Sequence, residues 1–347
     1  MAKVGNPKDF WNTLKSVSAA EIAQEANIPL KIALVGDPQT RTEIVTALFA
    51  NPTPTKGLSV ELRQIETAPY ADIREYDSFS KEAGFPQDPT FFHFALDLGA
   101  DRTTAPEGIL LYTLTDFQGL APTLERILED RPEWQMALAR NFPLLRKSVA
   151  ERLITQTSVV NAEFALITGI TSAFPPTAIL LPVNALSDIV ILTKNQAMLA
   201  LRLAAIYDLP VDYLKRSKEL VPILGNAFGW RAVAREIVGM IPFGGFVVKA
   251  MIAYAGTATL GRAAQYYYET GESLSREQLQ ALYQKAYLSS KETVRKIAAK
   301  VKRNKNRSSA NTQKEPLSVP MQDVLEVELL PFSEESPVSA ATEKKNA

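Results

Sequence analysis

Gly36 closes a short apolar run, Leu30-Lys31-Ile32-Ala33-Leu34-Val35-Gly36, and is followed by Asp37-Pro38-Gln39-Thr40-Arg41-Thr42-Glu43. A strand that ends in glycine and turns into a helix is a place where backbone can hold phosphate. That chemistry needs glycines so that amides converge on the anion, a lysine to meet its charge, and a Ser or Thr hydroxyl for magnesium. Counted from Gly36, Arg41 stands in place of the second glycine, Thr42 in place of the lysine and Glu43 in place of the hydroxyl residue. A carboxylate at that last position repels phosphate, and Pro38 removes an amide donor. Arg41 restores a positive charge but not the shape of the loop. Gly36, Thr40, Arg41, Thr42 and Glu43 therefore read as a vestigial loop that holds no cofactor.

Other reactive groups are sparse. The chain has no cysteine, which excludes thiolate nucleophiles, disulfides and cysteine-bound metals. Its single histidine, His93, sits among Phe91, Phe92 and Phe94 and reads as a buried or edge residue rather than a catalytic one. Asp97 and Asp101 could pair as acid and base, but loop carboxylates are too common for that to be specific. No serine-hydrolase elbow, zinc-helix or calcium-loop pattern is present. Basic and acidic residues balance at 38 each, so no global charge points to nucleic acid. No metal, catalytic residue or small-molecule substrate is expected, and the chain reads as a non-enzyme.

The elements that carry these residues divide the chain. Residues 1–28 read as an amphipathic N-terminal helix, not a signal peptide, because no continuous apolar run precedes the first strand. Residues 29–143 read as an α/β layer, with strands at 30–36, 58–65, 91–99 and 108–116 and helices at 42–50, 121–130 and 134–140. This layer resembles a small P-loop GTPase. Asp97-Leu98-Gly99 lies where that family carries its DxxG, but the glycine comes one residue early, and no NKxD guanine-reading sequence occurs. The resemblance is to a degenerate, pseudo-GTPase domain.

Residues 144–305 read as an all-α, apolar helical domain. From Phe164 to Ser187 there is no charge, a length that could span a bilayer. Pro175, Pro176 and Pro182 break it, so two helices meeting at a proline corner fit better. A second apolar stretch, 237–261, is interrupted by Lys249. Within it Ala253, Thr257 and Gly261 recur every four residues, a stripe that lets helix backbones approach closely. Asp188 borders the first stretch; it reads as ending a helix at the interface, with Lys249 snorkelling or facing a solvated surface, and an Asp188–Lys249 ion pair is the testable alternative. A last helix covers 275–303. The basic run of 291–307, with Lys296, Lys300, Lys302 and Arg303, suits anionic lipid head groups. Residues 306–347 read as a disordered tail.

Asn161, the proline corner before Asp188, Gln196, Gly225 with Arg231, Pro242 with Gly245, and Thr257–Gly261 leading to Tyr267 carry a further resemblance. Over roughly residues 144–272 the chain is similar to the YcjF-like family of uncharacterised bacterial proteins. The resemblance implies a helical, membrane-associated module with no reaction and no catalytic residues to carry over. The expectation is a scaffold or interaction protein on the cytoplasmic face of the inner membrane, with anionic lipid and an unidentified protein as partners. The alternatives are a soluble, cytoplasmic helical interaction module and an atypical nucleotide-binding protein.

Overall fold

In a computed structural model of the chain, residues 19–50, 71–100, 102–114, 117–172, 181–211 and 246–311 are described. The expected strand at 58–65, Pro175 and Pro176 of the proline corner, Asp101, the Gly225, Arg231, Pro242 and Gly245 marks and the C-terminal tail beyond residue 311 lie outside these residues.

The chain forms a mixed α/β layer followed by a helical region. Four parallel strands, β1 (Lys31–Gly36), β2 (Asp72–Tyr76), β3 (Phe94–Leu98) and β4 (Leu111–Thr113), build one sheet in the order β2-β1-β3-β4. The inner strands β1 and β3 are almost wholly buried, as continuous apolar runs of parallel sheets are. β2 is a half-exposed edge of sequence Asp-Ile-Arg-Glu-Tyr. The expected strand at 91–99 is shorter than read, because Phe91, Phe92 and His93 form bends before it. The one at 108–116 contracts to Leu111–Thr113.

The two faces of the sheet are covered differently. Ile32 and Leu34 of β1 and Phe94 and Leu96 of β3 face the helices. Their alternating neighbours Ala33, Val35 and Ala95 face Phe79, Phe85 and Phe92, carried on the β2–β3 connection. β1 to β2 and β2 to β3 run in opposite directions across the sheet. A right-handed chain must then cross on opposite faces. Here the second crossover is an aromatic loop, with Phe85 ringed by Tyr76, Phe79 and Phe92 at centroid distances of 5.0–5.6 Å.

The helices are α1 (residues 19–26), α2 (Pro38–Phe49), α3 (Leu120–Asp130), α4 (Gln135–Asn141), α5 (Pro143–Ser172), α6 (Leu181–Ile206), α7 (Phe246–Thr270) and α8 (Arg276–Asn311). α2 begins four residues before its expected start because Asp37 caps it and Pro38 fits the first turn. α6 begins at Leu181 with Pro182 in its first turn, so Asp188 lies within it. It ends in a Schellman turn: Asp208 adopts φ 58°, and Leu209 N–H donates to Ala204 O at 3.0 Å. α8 starts with a capping box in which Ser275 Oγ accepts from Gln278 N–H and Gln278 Oε1 accepts from Ser275 N–H. Its buried seam, Leu279, Tyr283, Ala286, Ser290, Val294 and Ile297, follows a near-heptad spacing.

α7 lies antiparallel to α5, since Gly261 meets Ile154 and Lys249 meets Thr168. One apolar cluster runs from Ile22, Leu34 and Leu48 through Trp134, Phe142 and Leu153 to Leu199, Ala258 and Tyr283. The sheet and the bundle thus share a core across residue 143. A second cluster, Ala165, Leu166, Ala250, Val294 and Ile297, fills the end of the bundle farthest from the sheet.

Candidate functional site

The turn from β1 into α2 sits at the centre of the sheet, beside the point where the strand order reverses. Ligands of open α/β sheets bind there, outside the carboxyl ends of the strands. Gly36 has φ 136°, and a Cβ on it would lie 2.7 Å from Leu98 O. It also bridges to Gly99. Its lack of a side chain therefore lets β3 approach β1, a packing need independent of any phosphate.

The helix N-terminus beyond Gly36 already holds an anion. Asp37 Oδ2 accepts from Thr40 N–H at 2.8 Å and from the Thr40 hydroxyl at 3.0 Å. These two bonds hold the Asp37 carboxyl below its ordinary pKa. Thr42 donates to Pro38 O at 3.0 Å, and Glu43 accepts from Gln39 at 3.2 Å, so both follow the helix surface. Arg41 turns inward and is buried. Its Nη2 lies 2.9 Å from Asp77 Oδ1, and its Nε 3.3 Å from Glu75 Oε2, an ion-pair distance without hydrogen-bond alignment. The five loop residues are neighbours in the chain but do not converge on one ligand: Gly36 seats β3, Arg41 pins α2 to the end of β2, and the others satisfy the helix.

Asp37, Glu75 and Asp77 are the groups that sequence reasoning missed here. Asp37 was legible as an N-cap, followed by proline and with Thr three residues on. Glu75 and Asp77 were not, because the polar edge strand that carries them has no apolar pattern.

Asp97 is buried, and its Oδ1 accepts from Gly99 N–H at 3.1 Å and Ala100 N–H at 2.9 Å, forming the turn after β3. His93 Nδ1 accepts from Lys31 N–H at 3.0 Å, and the ring meets Trp134 edge-on at 5.5 Å. Burial and the nearby Lys31 charge push its pKa down.

In the bundle, marks scattered through the sequence come together. Asn161 Nδ2 donates to Thr257 Oγ1 at 2.8 Å, Gln196 Nε2 donates to the same oxygen at 3.2 Å, and the Thr257 hydroxyl donates to Ala253 O at 2.8 Å. Asn195 Nδ2 donates to Asn161 Oδ1 at 2.7 Å. Asn161 and Thr257 are fully buried. One turn on, a Cβ at Gly261 would lie 2.7 Å from Ile154 Cγ1 and 3.0 Å from Leu199 Cδ2. The Ala253-Thr257-Gly261 stripe is therefore the seam where α5, α6 and α7 approach. Amides and a hydroxyl carry no acid, base or activated nucleophile, so this knot fixes register rather than performing chemistry.

The remaining expected site residues are dispersed. Lys249 is exposed and donates to Thr168 Oγ1 at 3.3 Å. Asp188 lies on α6, and its side chain, like those of Lys300, Lys302 and Arg303 on α8, falls outside the described residues. Lys296 is exposed and pairs with Glu292 at 2.8 Å. Among the described residues there is no cluster of three or more His, Asp or Glu able to hold a metal, and no helix long and apolar enough to cross a membrane. Comparison with known protein families, with curated proteins and with solved structures returns no match to this chain.

Proposed function

We propose that this chain is a non-catalytic scaffold or interaction protein, in which a degenerate GTPase-like layer supports a helical module that docks on an anionic membrane surface. The observation that carries the non-catalytic part is the Asp37 carboxylate on the amide and hydroxyl of Thr40. A nucleotide phosphate would have to displace a covalently tethered anion and would meet a proline in place of an amide. Its charge would find Arg41 already engaged by Asp77 and Glu75. The GTPase-like descent rests on the central β1–glycine–α2 unit between parallel neighbours, with Asp77 at the carboxyl end of the adjoining strand. The likeness to the YcjF-like helical family is supported by Asn161, Gln196, Thr257 and Gly261, which share one seam.

Membrane docking is supported by how the helices end. The C-terminus of α5, the N-termini of α6 and α7 and the C-terminus of α8 all lie at the end of the bundle remote from the sheet, around the Ala165–Ala250–Val294 cluster. Both long apolar stretches and the basic run reach that same end, a juxtaposition that suits head groups and the layer beneath them.

Two measurements test the reading. Titration with GTP and ATP in magnesium is expected to give no binding, and micromolar, magnesium-dependent binding overturns the pseudo-GTPase part. Flotation with vesicles of phosphatidylglycerol is expected to carry the chain upward, less so at high salt or after Lys296, Lys300, Lys302 and Arg303 are changed to Gln. A chain that stays with the soluble fraction under every condition favours the second reading, a soluble helical interaction module. That reading has its own support: the small-residue stripe expected at a membrane seam lies inside the bundle core.

A further inference from the structure

The outer face of α8 carries unpaired positive charge around one exposed leucine. Leu288 is 73% exposed, the most of any large apolar residue among those described. Lys285 and Lys291 stand three residues to either side, about 60° off its line, and Arg295 stands two turns on along that line. All three cations are exposed, and none forms an ion pair with another described residue. Glu292 is the one acid from Ala281 to Arg307, and it is taken up by Lys296. The bundle uses the opposite seam, Tyr283, Val294 and Ile297, so this face is left over from the fold.

A segment of complementary character follows in the same chain. α8 ends at Asn311, and from Glu315 to Glu343 the sequence has no base. Residues 321–335, Met-Gln-Asp-Val-Leu-Glu-Val-Glu-Leu-Leu-Pro-Phe-Ser-Glu-Glu, interleave five acids with valine, leucine and phenylalanine. Leu288 lies 23 residues before Asn311, about 35 Å back along the helix. The 18 residues from Asn311 to Leu329 extend to about 60 Å, so the segment reaches it with length to spare. A tether of this length gives an effective concentration on the order of millimolar. That suffices for one leucine and a few surface charges, which would not retain a free partner.

We propose that residues 321–335 fold back along the outer face of α8, with their carboxylates on Lys285, Lys291 and Arg295 and their apolar side chains over Leu288. The segment then also screens the adjoining run from Lys296 to Arg303 and competes with head groups for it. This competition rests on the docking proposed above; the contact itself does not.

The chain has no cysteine, so a disulfide between Ser289→Cys, beside Leu288, and Ser333→Cys reports the contact. Oxidation of the full chain is expected to close it within one chain. Two variants are expected to slow closure at least about tenfold, as the loss of several surface ion pairs does. In one, Asp323 is changed to Asn and Glu326, Glu328, Glu334 and Glu335 to Gln; in the other, Lys285, Lys291 and Arg295 are changed to Gln. The tether is the same in all three, so the difference isolates the charge contact. An unchanged rate in either variant overturns the proposal, and so does a disulfide that forms only between chains. With phosphatidylglycerol vesicles, the chain with the neutralised segment is expected to float at a severalfold lower lipid concentration than the unmodified chain. Equal flotation overturns the competition. If neither floats, the docking falls and the competition with it, and the disulfide still decides the contact.

Discussion

His93 places its one acceptor nitrogen against the backbone: Nδ1 accepts from Lys31 N–H, while the backbone N–H of His93 donates to Lys31 O, extending the β1–β3 pairing by a residue. A protonated ring has no lone pair for that role. Burial and the nearby Lys31 charge hold the His93 pKa of the folded chain below the ordinary value of about 6.5. The sign follows: the contribution of His93 is complete above the unfolded pKa and is lost as pH falls through the folded one. Denaturant midpoints measured from pH 7.5 to 5 are expected to decline, and His93→Gln, which keeps an acceptor but does not titrate there, is expected to flatten the decline. An unchanged slope sinks this account. The place of His93 among aromatic rings was legible from its neighbours, and so was the departure of Arg41, Thr42 and Glu43 from the residue types of a phosphate loop. What those residues do instead was not legible. The destination of Arg41 depends on Glu75 and Asp77, more than thirty positions away on a strand without an apolar signature.

Among the elements, those whose apolar pattern closes locally could be read from the sequence. β1, β3, the short helices at 120–141 and the long helix α5 match their expected positions within a few residues, whereas α8 runs to Asn311, past the expected end at 303. Boundaries set by caps or by partners moved: α2 begins at Pro38 because of Asp37, and the strand at 91–99 shrinks because Phe91 and Phe92 leave the sheet to join the aromatic loop. The edge strand β2 went unseen because its pairing with β1, not its composition, makes it a strand. Close helix approach was legible from the spacing of Ala253, Thr257 and Gly261, whereas its polar knot joins residues 96 apart in the case of Asn161 and Thr257. Asn161→Ala and Thr257→Val are each expected to cost about 1–3 kcal/mol, by orphaning a buried partner. The double variant is expected to cost less than the sum, with a coupling of about 0.5–3 kcal/mol. Strict additivity in denaturant titrations rejects the knot as a unit. Gly261→Val is expected to destabilise by about 1–3 kcal/mol through overpacking against Ile154 and Leu199.

At the scale of the whole molecule, the apolar cluster ignores the boundary expected near residue 143. Leu145, Val149 and Leu153 of α5 pack with Trp134 and Phe142 before it, and Leu34 and Leu48 of the sheet layer belong to the same body as Leu199 and Tyr283. Shared burial couples the two halves. Scanning calorimetry of the full chain is expected to show one transition, and residues 144–305 expressed alone are expected to aggregate or melt at a much lower temperature. Two resolved transitions, one reproduced by the isolated segment, overturn that expectation.

α8 has 36 residues against 25 in its antiparallel neighbour α7. At 1.5 Å per residue the difference is about 16 Å of helix, and it falls at the end remote from the sheet. Those last residues carry Lys302, Arg303, Lys305 and Arg307. Tyr283, Val294 and Ile297 anchor the rest of α8 in the bundle. On the docking proposed above, a surface that grips this end receives the body at one fixed tilt, and the extra length of α8, about three turns, acts as a spacer between that surface and the α/β layer.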